Sequence, residues 1–76
     1  MKDFIAYLIK NLVDQPDAVD VQIFDGQQGT ILEVRVSPAD VAKVVGRQGR
    51  TIKSLRTLAM TVGARFGRRV RLELIQ

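Results

Sequence analysis

The sequence predicts an α+β fold in which three helices cover one face of a three-stranded sheet, in the order α-β-β-α-α-β. Apolar residues recur at the helical period in three segments and alternate with polar residues in three others. The length of 76 residues supplies one hydrophobic core and not two. Amphipathic helices and half-polar strands bury their apolar sides against each other, so we expect one two-layer domain over residues 1–76.

The first helix is predicted over residues 3–14. Asp3 is placed to cap its start, and Pro16 closes the segment because proline cannot continue a helix. A β-hairpin follows, because two alternating segments flank the turn-forming residues 25–29. The apolar stripe of the helix consists of Phe4, Ile5, Leu8, Ile9 and Leu12, and the apolar hairpin positions are Val19, Val21, Ile23, Leu32, Val34 and Val36.

Two helices and a strand complete the predicted order. Ser37 as cap, Pro38 at the first helical position and Asp40 near the positive helix end predict a short helix that reaches Val45. Gly46 ends it, and a longer helix begins after Gly49. The apolar face of that helix consists of Ile52, Leu55, Ala59, Val62 and Phe66. After Gly67, the last strand alternates Val70, Leu72 and Leu74 with polar residues.

Composition narrows the function. Residues 1–33 carry two basic and six acidic side chains, a balance of −4, whereas residues 34–76 carry ten basic and two acidic ones, a balance of +8. A basic half suits a polyanion but also suits a solvated surface, so charge alone leaves both open. With no cysteine and no histidine, we expect no enzyme and no cofactor. No apolar run approaches a membrane span, so we expect a soluble cytoplasmic protein with no membrane contact.

The run Gly46-Arg47-Gln48-Gly49 carries the most specific signal. Two glycines let the backbone turn sharply and approach another backbone closely, and the helix that follows offers free N–H groups to a phosphate. Arg50 and Lys53 add positive charge beyond it. A bare Gly-X-X-Gly is more often only a turn, so its position between two helices and before a basic helix decides the interpretation.

These residues resemble the KH domain, whose signature is a branched apolar pair, Gly-X-X-Gly and an apolar residue three positions later. Val44, Val45 and Ile52 match the flanking positions. The element order is similar to the type II arrangement, and residues 46–58 and 67–74 resemble the small bacterial single-KH proteins of the KhpA family. The resemblance implies cytoplasmic single-stranded RNA binding, a role as RNA chaperone or post-transcriptional regulator, and pairing as a homodimer or with a larger KH protein of the KhpB (Jag) type.

The resemblance also implies the site. The loop faces the backbone of the RNA, Val45 and Ile52 contribute to an apolar floor for the bases, and the strand from Leu32 to Val36 forms the opposite wall. The spacing of Val45 and Ile52 is equally that of core residues, so a purely structural role for these two stays open. Gln48 stands where a basic residue is common, so the loop carries one charge. The sequence leaves open whether Arg35, Arg56, Arg65, Arg68 and Arg69 touch RNA. The expected RNA-binding residues are Lys43, Val45, Gly46, Arg47, Gln48, Gly49, Arg50, Thr51, Ile52 and Lys53.

Two other functions stay open at this point. A helix pair joined by a glycine turn is also typical of the helix-turn-helix, which binds duplex DNA. Alternatively, the chain is an interaction or dimerisation module, because Leu58 and Met60 lie off the main apolar face of their helix, and Phe24 and Ile31 lie on the outer sheet face.

Overall fold

The fold was obtained as a computed structural model that describes residues 1–76. It contains three α-helices and one three-stranded sheet, and single 3₁₀ turns precede β1, α2 and α3. The predicted fold class and element order are confirmed. The elements are α1 (Lys2–Lys10), β1 (Asp20–Gly26), β2 (Gly29–Arg35), α2 (Val41–Val45), α3 (Arg50–Arg65) and β3 (Val70–Leu74).

Strand β2 is the centre of the sheet. It pairs antiparallel with β1 through the two-residue turn Gln27–Gln28, and parallel with β3. The register places Val21 opposite Val34 and Leu32 opposite Leu72, so the buried side chains of neighbouring strands lie on one face. A parallel pair needs a crossover connection, and α2 and α3 provide it.

The core lies between this face of the sheet and the helices. Every third or fourth residue of α3 is buried, as the helical period requires, and residues between them, such as Lys53, Ser54 and Thr57, are exposed. No helix of the structure combines the length and the apolar character that a membrane crossing needs. The buried apolar residues are Ile5, Ile9, Val21, Leu32, Val34, Val44, Ile52, Leu55, Ala59, Val70 and Leu72.

Helix α1 is shorter than predicted, because it ends at Lys10 instead of residue 14. The backbone N–H groups of Asp14 and Gln15 bond to the Asp40 carboxylate at 3.2 and 3.0 Å, which draws the chain away from the helix axis. The predicted cap at Asp3 was also wrong. Met1 occupies the cap position, and Asp3 lies in the first turn, where its charge still favours the positive helix end.

Asp40 has a second role besides the predicted one. Its side chain is 1% exposed and accepts the two hydrogen bonds from the segment after α1, in addition to lying near the start of α2. Ser37 makes no side-chain capping bond, and Pro38–Asp40 forms a 3₁₀ turn before α2 begins. Asp40 therefore joins two segments that the sequence separates by about a third of the chain.

Phe66 departs from the predicted apolar face of α3 and is 77% exposed. The helix ends one residue earlier, and its last carbonyls accept bonds from the following loop: Gly67 N–H bonds to Ala64 at 3.0 Å and Arg68 N–H to Gly63 at 2.9 Å. This pair of bonds is the Schellman helix ending. It turns the chain toward β3 and leaves the Phe66 ring in solvent.

Candidate nucleic-acid interface

The loop between α2 and α3 is a single tight turn. Helix α2 ends when Gly46 adopts φ +77° and ψ 175°, a conformation that is almost exclusive to glycine. A Cβ atom at this position would lie 2.9 Å from the backbone nitrogen of Thr51 and would overlap its side chain. Thr51 is half-buried for the same reason, since it packs against the bare glycine backbone. Gly46 is therefore required by both its dihedrals and its neighbour.

The second half of the loop is left-handed. Gln48 has φ +56° and Gly49 has φ +72°, and Gln48 is the one residue other than glycine with a positive φ. Left-handed conformation in such a residue costs on the order of 1–3 kcal/mol. The Gln48 side chain is exposed, and nothing lies within 4 Å of a Cβ built at Gly49. The loop thus projects from the surface with open space around it.

Three cations surround this loop without an acidic partner. Arg47, Arg50 and Lys53 are exposed and form no ion pair, and the Arg50 guanidinium donates one hydrogen bond to the Gln48 side-chain oxygen at 3.3 Å. Helix α3 begins at Arg50 with no side-chain cap, so its positive end lies beside the same charges. The arrangement attracts an anion and leaves the cations free to bind it.

Lys43 belongs to a different arrangement. Its ammonium pairs with Asp14 and lies 3.7 Å from the Asp40 carboxylate. The hydrogen bond to Asp14 raises the pKa of Lys43 against the opposing effect of desolvation, and the charges of both aspartates add to the rise. Of the basic residues predicted for the site, Lys43 is thus the one already paired within the protein.

The predicted apolar floor is smaller than the sequence suggested. Ile52 is 7% exposed and belongs to the core, whereas Val45 is half-buried and retains contact with the surface. The predicted wall, residues 32–36, falls largely within β2, which is the central strand and not the strand next to α3. Strand β3 lies beside α3 instead, and Arg56 Nε donates to the Leu72 carbonyl at 3.3 Å between them.

The arginines that the sequence left open divide into two groups. Arg35 lies 3.7 Å from Glu33, and Arg68 binds Asp25 at 2.7 Å. Arg65 and Arg69, by contrast, form no ion pair. The Arg35–Glu33 pair lies two residues apart on one strand face, whereas the sequence carries no signal for the Arg68–Asp25 pair, whose members are 43 residues apart.

Comparison with known proteins gives matches over nearly the whole chain. The family model described as KhpA/KhpB, KH domain matches residues 2–74. The RNA-binding protein KhpA of Chlamydia caviae is 45% identical over 76 residues, which cover 100% of this chain and 97% of that protein.

Relatives from two other bacteria give similar matches. The RNA-binding protein KhpA of Streptomyces coelicolor is 45% identical over 75 residues, covering 99% of this chain and 91% of the relative. The protein of that name from Aquifex aeolicus is 40% identical over 76 residues, covering 100% and 96%. The matched region contains every element of the fold and the whole Gly46–Gly49 loop. The chain belongs to the KhpA/KhpB family of KH-domain proteins.

Proposed function

We propose that this chain binds single-stranded RNA through the Gly46–Gly49 loop in the bacterial cytoplasm, without changing the RNA chemically. The observation that carries the proposal is the set of three unpaired cations, Arg47, Arg50 and Lys53, at the uncapped start of α3. The relatives named as RNA-binding proteins support it. The proposal includes a role as RNA chaperone or post-transcriptional regulator, which the family resemblance implies.

In the proposed complex the glycines admit the RNA backbone and the cations hold its phosphates. KH loops clamp about four nucleotides, whose bases then face the apolar side chain of Val45. If about four phosphates are neutralised, affinity falls roughly fifty-fold over a fourfold rise in salt, using the single-strand slope of about 0.7 per contact. An affinity that is independent of salt would contradict the proposal.

The decisive test is the double variant Arg47→Asp/Gln48→Asp, titrated against a fluorescent oligouridine. Both side chains are exposed, and aspartate tolerates the left-handed backbone at position 48, so the fold is expected to persist. We expect affinity to fall at least about tenfold through lost attraction and new repulsion. Circular dichroism and thermal melting check that the variant is folded.

A matched control separates the loop from overall charge. The double variant Lys2→Asp/Lys10→Gln changes the net charge by the same amount, and both lysines are exposed on α1. Its affinity should stay within about threefold of the wild type, because distant surface charges are screened by salt. If both variants lose affinity equally, binding is a property of net charge and the loop mechanism is wrong.

Duplex DNA is the competing ligand. A helix-turn-helix places its second helix in the major groove, whereas the proposed loop grips a single strand. Competition between a labelled single-stranded RNA and an unlabelled DNA duplex distinguishes the two. A duplex that displaces the RNA at equal concentration would favour the groove-binding alternative.

We also propose that the chain associates with a second copy or with a larger KH protein of the KhpB type. The support is exposed apolar surface: Leu58 is 40% and Met60 56% exposed, on the two flanks of the buried stripe of α3. Phe24 and Ile31, opposed on the outer sheet face, offer a further patch. Sedimentation velocity at two concentrations tests self-association, and a monomer at both would refute the homodimer.

A further inference from the structure

Asp40 is the one charged side chain that the fold buries completely. It is 1% exposed, and each carboxylate oxygen accepts one backbone N–H, Oδ1 from Asp14 at 3.2 Å and Oδ2 from Gln15 at 3.0 Å. The Lys43 ammonium lies 3.7 Å from Oδ1. Burial of a carboxylate is unfavourable, and an apolar side chain in such a place often serves stability equally well. The presence of the carboxylate therefore points to a role in how the chain segments are arranged.

These bonds attach helix α2 to the segment that follows α1. Helix α2 has five residues, fewer than two turns, and a helix of this length needs tertiary contacts to hold its place. On its apolar side, Val44 is buried in the core. Its polar contacts come from Asp40, directly before its first residue, and from Lys43, which pairs with Asp14 as well as with Asp40. No other side chain of residues 37–45 forms a hydrogen bond or an ion pair.

The Gly46–Gly49 loop is in turn attached to α2. The Gly46 N–H closes the last turn of α2 on the Ala42 carbonyl at 2.9 Å, and the Gly49 N–H bonds to the Gly46 carbonyl at 3.2 Å. The Gly46 backbone also packs against Thr51 so closely that a Cβ atom would not fit. The distance along the helix from Asp40 to Gly46 is only about 9 Å. A rotation or shift of α2 therefore moves the loop with it.

We infer that Asp40 is a positioning residue for RNA binding: its carboxylate fixes α2 against residues 14–15 and thereby holds the Gly46–Gly49 loop in the conformation that receives phosphates. The inference rests on the proposed RNA binding. Asp40 itself is buried and negative, so it touches no RNA and acts through α2. When the loop adopts the binding conformation in only a fraction of molecules, the apparent dissociation constant rises by the inverse of that fraction.

The test is Asp40→Asn, titrated with a fluorescent oligouridine. The carboxamide keeps the size of the side chain, but its NH₂ group faces a backbone N–H instead of accepting from it, and the attraction to Lys43 is lost. We expect affinity to fall about three- to tenfold, as for a loop that is competent in roughly a tenth to a third of the molecules. The direction is diagnostic, because removal of a negative charge would by electrostatics alone strengthen the binding of a polyanion.

Two matched variants separate positioning from charge and from stability. Asp17→Asn makes the same change of net charge at an exposed residue that forms no ion pair, so its affinity should stay within about twofold of the wild type. Ile5→Val removes a buried methyl group from α1, which packs chiefly on β1, and should lower stability without changing affinity. In amide NMR spectra, the signals of Gly46 and Gly49 should shift in Asp40→Asn and not in Ile5→Val.

A measurement on the wild-type protein keeps the inference testable if Asp40→Asn does not fold. Coupling between two sites is reciprocal, so RNA that selects the competent loop also favours the bonds to Asp40. Saturating oligouridine should therefore slow hydrogen exchange of the Asp14 and Gln15 amides. The Asn11 amide, which bonds to carbonyls of α1, should exchange at an unchanged rate.

The outcomes separate this inference from the proposed function. Unchanged or tighter binding by a folded Asp40→Asn overturns the positioning role while RNA binding stands, and so does an equal loss of affinity in Ile5→Val or Asp17→Asn. Unchanged exchange of the Asp14 and Gln15 amides at saturating RNA overturns it as well. Wild-type protein that binds no oligouridine overturns both proposals.

Discussion

The two loops at the ends of α3 use the same residue types for opposite purposes. Each contains glycine with positive φ and neighbouring arginines. In the loop before α3, Arg47 and Arg50 have no acidic partner. In the loop after α3, the Arg68 guanidinium binds the Asp25 carboxylate, and the backbone N–H groups of this loop bond to carbonyls in the last turn of the helix. The first loop is thus prepared for a ligand, and the second is satisfied internally.

Helix polarity explains the difference. The N-terminus of α3 presents N–H groups and a partial positive charge, which arginines reinforce and which only an external anion can balance. The C-terminus presents carbonyls, which the N–H groups of Gly67 and Arg68 satisfy. At the start of α3 a loop of glycine and arginine therefore forms a site suited to an anion. At the end of α3 a similar loop bonds to the helix terminus and stabilises it internally.

The largest expected effect is a fall in the free energy of unfolding caused by Gly46→Ala, in the loop before α3. The backbone at Gly46 is almost exclusive to glycine, and the new Cβ would collide with Thr51. We expect about 3 kcal/mol lower free energy of unfolding by urea denaturation. Gly49→Ala is the matched control, since its Cβ meets open space and only the dihedral is strained, for about 1 kcal/mol. Equal losses would mean that the Thr51 contact is unimportant.

The bonds that join Arg68 to Asp25 and Thr30 are tested by Arg68→Met, which keeps the aliphatic length and removes the guanidinium. Thr30 is buried and retains only its bond to Asp25, and the ion pair itself is half-exposed, so the expected destabilisation is about 1 kcal/mol. Arg69→Met, whose side chain has no partner, should change stability by less than about 0.5 kcal/mol. A thermal melt in which the two variants coincide would contradict the internal role of Arg68.

The charges of the first loop are tested one at a time by Arg50→Gln and Lys53→Gln. Each should lower the slope of log affinity against log salt by about 0.7, because each removes one phosphate contact. Lys43→Gln is the control, because its ammonium is already paired with Asp14. An equal change of slope in Lys43→Gln would show that this ion pair opens to release the lysine to RNA.

The smallest expected effect is a loss of folding stability at acid pH that depends on the Asp25 carboxylate. The hydrogen bond from Thr30 lowers the pKa of Asp25 below its ordinary value of 3.8, opposed by desolvation and assisted by Arg68. The pKa of Asp25 is lower in the folded than in the unfolded protein. The contribution of Asp25 to stability is therefore complete above the ordinary pKa and is lost as pH falls through the folded pKa. Asp25→Asn should therefore show a flatter fall in urea stability below pH ~4 than the wild type. Identical pH profiles would contradict this assignment.

Much of the fold could be predicted because its signals are local. The periodicity of α3, the alternation of the strands and the stop at Gly46 depend on neighbouring residues, and the structure confirms them. The errors fall where distant residues intervene. Helix α1 ends early because Asp40 binds Asp14, 26 residues away, and no local pattern indicates that bond.

The candidate site shows the same division. The loop and its cations lie in one short run of sequence, so the sequence alone predicts the motif. The sequence places Ile52 both beside the loop and on the core stripe of α3, and the structure shows that it is a core residue. The sequence does not indicate which strand lies beside α3, because strand order is a property of the sheet and not of any segment.

By itself the sequence determined the order of elements, the helix pair around Gly46–Gly49 and the excess of positive charge in the second part of the chain. Only the tertiary structure decided which of those charges are free. Arg68 meets Asp25 across 43 residues and Lys43 meets Asp14 across 29, whereas Arg47 and Lys53 meet no acid. The physical reason is that turns and periods depend on neighbouring residues in the chain, whereas ion pairs depend on how distant segments pack against one another.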